Sequence, residues 1–486
     1  MWLVFAAAFI NALLYTCAVS DPLISADNWL FIDTFLRHAV DGTLDLGDFL
    51  VKRAGIDHAQ PLSKLLMLLN FRIFGLDFAI EGLVGLMFGA AALIVLYRTA
   101  IADASLATRR PLFYAAMAAT AAVWFSLNSS MIYSFSLVTM GFAPFFFAFL
   151  CIWAAWHALD SGRWGYLLIA MLGYGVVGDD AAIILGLALS LLSLAWGWRT
   201  GRMALAWRVV LVMLVAIMAC RGFYAVFGEI RGATLPEFNV PLGQRVGGLM
   251  SQWREGWQWF AIPSASGVAY IAPLQRLVGE HWRLVQTILA VILFAAHGWF
   301  WWSAWRVPPR AASFFAVALM LLFYGYLVGL LFGRIFVRGT EYLNQPRYIS
   351  FYQFNIIALL VMAAARTLAA DSGRTFRWAW ASAITLLLVQ VPLSASAWRE
   401  VPSIQMYYER MAMQWSALAL DPAHPPRDCV PVLTICQMPF DQRVALLKMV
   451  REQRINLYSP RFAIVHPTLA RAAAATLSNP SPSASR

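Results

Sequence analysis

Charge is scarce in this chain. Only 13% of its 486 residues are Asp, Glu, Lys or Arg, whereas soluble globular domains carry roughly 25%. Hydrophobic residues make up 61% and the mean hydropathy is +0.66, more apolar surface than a water-soluble fold can hide. Cysteine and histidine are also few, five and seven. They form no H-x-x-x-H pair and no Cys/His cluster, so the sequence calls for no metal centre. Neither a Walker glycine loop nor a dinucleotide fingerprint occurs in a suitable context, so no nucleotide site is expected. The formal charge is +11, but the bases lie in short loops between apolar runs rather than on one face. That pattern excludes a nucleic-acid surface. No internal repeat of the kind usual in inverted-repeat transporters is visible.

What the chain has instead is long apolar runs. About 20 apolar residues cross a bilayer, and such runs fall at 2–20, 78–97, 111–128, 135–158, 164–178, 181–198, 208–228, 284–305, 311–333, 349–370 and 378–397. The expected fold is all-α, a polytopic transmembrane bundle of about eleven spans. The runs 164–178 and 181–198 are short and suit a tilted or half-crossing pair. Residues 1–20 lack a basic start and a small-x-small cleavage site, so they read as a retained first helix. Arg98, Arg109, Arg110, Arg163, Arg199, Arg202, Arg306, Arg310, Arg366 and Arg377 populate one set of short loops, with few acids. The positive-inside rule makes those loops cytoplasmic, the N-terminus cytoplasmic and the C-terminal segment extracytoplasmic. A bacterial inner membrane is the expected location.

The division that follows is a transmembrane domain over 1–397 with outer loops 21–77, 229–283 and 334–348. After it come an extracytoplasmic segment over 398–475 and a Ser/Pro-rich, disordered tail over 476–486. Within the segment, Val444–Arg454 suits a short amphipathic helix. Cys17, Cys151 and Cys220 lie in apolar runs and read as small core residues. Cys429 and Cys436 form a disulfide if the segment lies outside, and are otherwise two free thiols.

Polar mass on one side puts the chemistry there, and the first outer loop is the richest in acids. In residues 28–41, Trp29, Ile32, Leu36 and Ala39 share one helical face, opposite Asp33, Thr34, Arg37, His38 and Asp41. Such a helix lies in the membrane interface, with Ser25 or Asp27 at its N-cap. A turn-rich link follows. Then Asp57-His58-Ala59-Gln60-Pro61 opens a second helix with Pro61 in its first turn, and Lys64 comes out at the same membrane level. An acid, a His and a Lys near the interface suit a phosphate-bearing lipid and the deprotonation of a hydroxyl. The bland alternatives are a helix cap for Asp27 and headgroup contacts for His58 and Lys64.

The order of a first span, an Asp just outside it, an interfacial helix, a polar link and then H-x-x-P-L-x-K-L-L resembles the GT-C superfamily of membrane glycosyltransferases. The likeness is to the protein O-mannosyltransferase and aminoarabinose (lipid A) transferase branches, and its detailed part covers the first outer loop. It implies a sugar donor carried on polyprenyl phosphate and an acidic base in that loop, which Asp27 of Ser25-Ala26-Asp27-Asn28 matches. Relatives commonly show Asp-Glu or Asp-Asp, so this chain has Asn28 in place of a second carboxylate. The late Pro346-Arg347-Tyr348 element resembles the Arg/Lys-Tyr segment of several GT-C enzymes.

Arg334, Arg338 and Arg347 stand where the positive-inside rule disfavours bases, which points to an anion. Arg suits bidentate phosphate contact; Arg347 is the preferred ligand, with Arg338 and Tyr348 beside it and headgroup anchoring as the alternative. Asp179 and Asp180, at the outer end of a short span, fit an acceptor or cation contact or a solvated turn. Trp253, Trp257, Trp259 and Tyr270 suit sugar stacking or an interfacial helix. The expected function is transfer of a sugar from a polyprenyl-phosphate donor to a lipid, glycan or protein outside the membrane. Asp27 is the base, and Asp57, His58, Lys64, Arg338, Arg347 and Tyr348 contact the substrate. No cofactor is called for, although the acids leave room for a divalent cation. The alternatives are a polysaccharide polymerase or ligase and a non-enzymatic flippase.

Overall fold

A chain inside a bilayer must satisfy every backbone N–H and C=O within itself, so long apolar runs become helices. The computed structural model describes residues 1–52, 59–104, 107, 109–178, 181–228, 240–368 and 373–478, and every regular element among them is helical. Nine of these helices are long and apolar enough to cross a membrane: Trp2–Val19, Phe78–Ile101, Ser136–Ser161, Ala181–Thr200, Met203–Phe227, Ile271–Arg306, Ala311–Arg338, Pro346–Arg366 and Arg377–Leu420. The other two expected spans are the shorter helices Arg110–Trp124 and Gly165–Gly178. Every apolar run thus matches a helix. The chain is a polytopic, all-helical membrane protein.

Burial sorts the spans. Pro346–Arg366 is the axis, with 83% of its apolar window buried. It packs between Ala311–Leu330 and Arg110–Trp124, and Phe354 stacks on Trp124 and meets Phe145 edge-on. Met203–Phe227 instead turns Leu211, Leu214, Val215 and Met218 outward. In water such a face is an aggregation patch; against lipid tails it is the proper surface. Gly85 permits a close crossing. A Cβ there would meet the Thr139 backbone at 2.6 Å, and small residues of this kind let membrane helices approach closely. Cys151 and Cys220 are buried as expected, whereas Cys17 lies on an exposed face of the first helix.

A second, smaller core forms where the loop after the first span meets the C-terminal segment. The chain is helical from Asn28 to Asp41, with a π-helical stretch at Ile32–Leu36. The expected stripe of Trp29, Ile32, Leu36 and Ala39 is buried, and protein covers it: Trp415, Met411, Leu433, Ile435 and Leu446 belong to the same cluster. Pro61–Phe74 begins with Pro61 at its first position and stops at Gly75, whose φ of 68° is the left-handed C-cap. The last span overruns its expected end at residue 397 and continues to Leu420, delivering the segment that covers the stripe. The amphipathic helix expected at 444–454 runs over Phe440–Glu452.

The two cores are joined by buried polar contacts. Asn456 donates from Nδ2 to the carbonyls of Pro22 and Leu76, and His466 Nε2 lies 2.8 Å from Asp77 Oδ2. Asn70 Nδ2 donates to the Asp77 carbonyl and to Glu81 Oε1. Asp21 is only 3% exposed, and burial pushes its carboxyl up to about 7. A carboxyl raised in this way holds its proton longer folded than unfolded. Stability therefore falls as pH rises from about 4 to about 7, by up to roughly 4 kcal/mol. Asp21→Asn is expected to flatten that limb, read by thermal unfolding in detergent between pH 4 and 8. An unchanged slope would show that Asp21 does not carry it.

Candidate functional site

After the first span the chain is fixed residue by residue. The Asp21 N–H donates to the Ser134 carbonyl at 2.8 Å, and Asp21 Oδ1 accepts the Leu23 N–H at 2.9 Å. Ser25 is buried, and Ala26 has φ of 44°. That left-handed backbone costs a non-glycine residue roughly 1–2 kcal/mol, and such strain persists only where the surroundings enforce it. Next comes Asp27, half-buried, at the N-cap position of Asn28–Phe31. Its side chain makes no cap hydrogen bond, so the simple capping role does not account for it. Asn28 is completely buried, and neither atom of its amide has a hydrogen-bond partner.

The second half of the site comes from the turn between two late spans. Thr340–Asn344 and Pro346–Tyr348 are short 3-10 helices braced from several sides. Trp259 Nε1 donates to Thr340 Oγ1 at 3.1 Å, the Tyr270 hydroxyl to the Asn344 carbonyl at 2.8 Å and the Tyr352 hydroxyl to the Leu343 carbonyl at 3.0 Å. Ser129 Oγ donates to the Pro346 carbonyl. Two of the aromatics in the 229–283 loop thus hold this turn, while Trp253 and Trp257 are exposed.

The turn presents Arg347. Its guanidinium lies over the rings of Tyr342 and Tyr348, 5.8 and 5.2 Å from their centres, and Nη2 donates to both hydroxyls. Its Nε is buried and has no acceptor. Two further charges reach this group: Asp27 acts electrostatically on Arg347, and Arg334 acts on Tyr348. One acid, two arginines and two tyrosines thus lie within electrostatic reach of one another at one end of the bundle. Both π-helical stretches among the described residues flank them. Ile32–Leu36 follows Asp27, and Leu331–Ile335 carries Arg334. The second is supported by Arg245 Nη1 donating to the Phe332 carbonyl at 3.1 Å. Such bulges are frequent at functional sites.

Lys64 and Arg338 are placed differently. Lys64 is 1% exposed, and Nζ donates to the carbonyls of Asp48, Phe49 and Val51 at 2.8, 3.2 and 2.6 Å. It clamps the C-terminal end of Leu46–Leu50, where a cation is favoured, beneath the rings of Phe31 and Phe35. The Asp45–Asp48 capping box starts the same short helix, and His38 Nδ1 lies 2.8 Å from Asp48 Oδ1. Lys64→Met leaves three carbonyls without their donor, at about 1–3 kcal/mol for each buried group stranded. A clear fall in melting temperature in detergent is expected; an unchanged one would show that the clamp is dispensable. Arg338 is exposed at the end of Phe336–Arg338. Asp57, His58, Asp179 and Asp180 lie outside the described residues. Among the described residues no three His, Cys, Asp or Glu side chains gather in a way that could hold a metal ion. A cleft lined by Gln60, Leu62, Ser63, Met140, Pro144 and Val177 opens beside the start of Pro61–Phe74.

The sequence reading named Arg334 and Tyr342 in the same loop as Arg347 but not among the substrate contacts. The signal for Arg334 was its cost against the positive-inside rule. No local signal marks the support that Ala26 receives. Its N–H donates to the Val432 carbonyl at 2.5 Å and its carbonyl accepts from Thr434 Oγ1 at 2.7 Å. Both partners lie in the loop closed by the Cys429–Cys436 disulfide.

No family model matches the chain, and no curated protein matches it. Among solved structures, the chain is similar to ArnT from Cupriavidus metallidurans bound to undecaprenyl phosphate, at 14% identity and a TM-score of 0.39, over 98% of this chain and 76% of that one.

Proposed function

We propose that the protein is a membrane glycosyltransferase of the GT-C kind, moving a sugar from a polyprenyl-phosphate donor to a hydroxyl on the outer face of a bacterial inner membrane. The observation that carries this reading is Arg347, held over Tyr342 and Tyr348 with its Nε buried and without an acceptor, within electrostatic reach of Asp27. An inverting displacement on a glycosyl phosphate needs two groups. A base takes the proton of the acceptor hydroxyl, and a cation receives the charge on the departing phosphate. Asp27 takes the first role. As the acceptor oxygen bonds to the anomeric carbon, the carbon–oxygen bond to phosphate breaks and polyprenyl phosphate leaves with the electron pair. Arg347, oriented by Tyr342 and Tyr348, receives that phosphate, and Arg334 adds positive charge from the adjoining π-helical stretch. Lys64 serves from below by holding the first-loop link in place. The Cys429–Cys436 disulfide supports an outward, oxidising side for the C-terminal segment.

The test is turnover by the purified protein in liposomes. Synthetic polyprenyl phosphates carrying a hexose, an N-acetylhexosamine or an aminopentose are offered with a lipid, glycan or protein acceptor fraction, and released polyprenyl phosphate is measured. Release that depends on acceptor supports the reading. Transbilayer movement of the intact donor without release would replace it with a flippase. Joining of whole glycans, without use of the single-sugar donors, would replace it with a polymerase or ligase.

A further inference from the structure

The residue before Asp27 is held in an unfavourable backbone conformation by a segment from the far end of the chain. Ala26 sits at φ 44°; its N–H donates to the Val432 carbonyl, and its carbonyl accepts at 2.7 Å from Thr434 Oγ1 and, more weakly at 3.3 Å, from the Trp29 N–H. The engaged carbonyl belongs to the peptide that joins Ala26 to Asp27, so fixing its plane fixes where the Asp27 side chain starts.

The loop itself is rigidly seated. Gln414, on the helix Val401–Leu420, donates from Nε2 to the Asp428 carbonyl and accepts the Val430 N–H, both at 2.9 Å. Leu433 and Ile435 are fully buried in the same core as Trp29, and Cys429 is bonded to Cys436. Thr434 stands between those two buried residues and turns its hydroxyl to the Ala26 carbonyl.

We infer that Thr434, carried by the disulfide-closed loop of the C-terminal segment, is a positioning residue that sets the direction of the Asp27 carboxylate. This inference rests on the reading of Asp27 as the base. The C-terminal segment then has a task in catalysis without touching substrate: it holds the acid in register with Arg347. Misplacing a catalytic group by about 1 Å costs on the order of a hundredfold in rate, and supporting shells of this kind determine whether a site works.

The experiment compares Thr434→Val, Thr434→Ser and Asp27→Asn in the full-length protein in liposomes, with release of polyprenyl phosphate from the donor the wild type uses as readout. Valine keeps the shape and removes the hydroxyl; serine keeps the hydroxyl. Thr434→Val is expected to lower kcat by about ten- to a hundredfold, with KM for the donor within about twofold and the melting temperature little changed, while Thr434→Ser restores most of the rate. If Asp27→Asn is inactive and Thr434→Val turns over at the wild-type rate, the positioning role is overturned and the proposed function stands. Equal losses in the Val and Ser variants, or a rate loss that tracks a fallen melting temperature, also overturn it. If Asp27→Asn retains full activity, the assignment of the base fails and the inference fails with it.

Discussion

Asp27→Asn is expected to lower the rate of sugar transfer by about 10²–10⁴-fold, the range that general-base catalysis contributes. The exchange is close to isosteric; it removes the negative charge and with it the ability to take a proton. The amide keeps the shape of the side chain, so the melting temperature, which reads unfolding apart from chemistry, is expected to stay near that of the wild type. Donor affinity should change little, since the phosphate is assigned to the arginine side of the site. A variant whose kcat falls while KM holds has lost an interaction specific to the transition state. If KM rose instead with kcat intact, Asp27 would be a binding residue and the base would have to be sought elsewhere. Asn28, buried with an unpartnered amide, is the residue directly beside it, so Asn28→Asp is a useful companion. It places a second carboxylate next to the base, and like charges so close raise one of the two.

The sequence made the membrane architecture legible because hydropathy has a length scale that the bilayer sets. All eleven apolar runs became helices, and two of them, Arg110–Trp124 and Gly165–Gly178, came out shorter than a full crossing. Helical periodicity likewise picked out the buried face of residues 28–41. It could not say what buries that face, because period 3.6 looks the same against lipid as against Trp415. The cover comes from residues nearly 400 positions away, and no local pattern announces such a pairing. The same limit explains Lys64. A lysine near an interface reads as a headgroup contact, and only the fold reveals that three carbonyls from the end of Leu46–Leu50 surround it. The Ala26 conformation was also hidden, since an alanine carries no signature of a left-handed backbone as glycine would. What the sequence did expose was a concentration of positive charge: Arg334, Arg338 and Arg347 in one short loop.

Arg347 is where that charge has its largest expected consequence. Removing one donor that stabilises developing charge costs on the order of 10²–10³ in rate, so Arg347→Ala should lose at least that much of kcat/KM. Arg347→Lys is the sharper variant. It keeps a positive charge but not the planar fork, and a lysine cannot at once stack on Tyr342 and Tyr348 and donate from several directions. Little recovery by lysine is therefore expected; full recovery would mean that only net charge matters at this position. Binding gives a readout apart from turnover. The Arg347 Nε is buried without an acceptor, and an unsatisfied buried donor costs about 1–3 kcal/mol. A phosphate oxygen that accepts from it removes this cost, so polyprenyl phosphate alone should raise the melting temperature of the wild type in detergent. At a hundredfold excess over Kd the stabilisation is about 2.7 kcal/mol. Arg347→Ala should lose this response, whereas Asp27→Asn should keep it, because the base is needed for the acceptor and not for the donor phosphate. Equal stabilisation of wild type and Arg347→Ala by the lipid phosphate would remove Arg347 from the donor site.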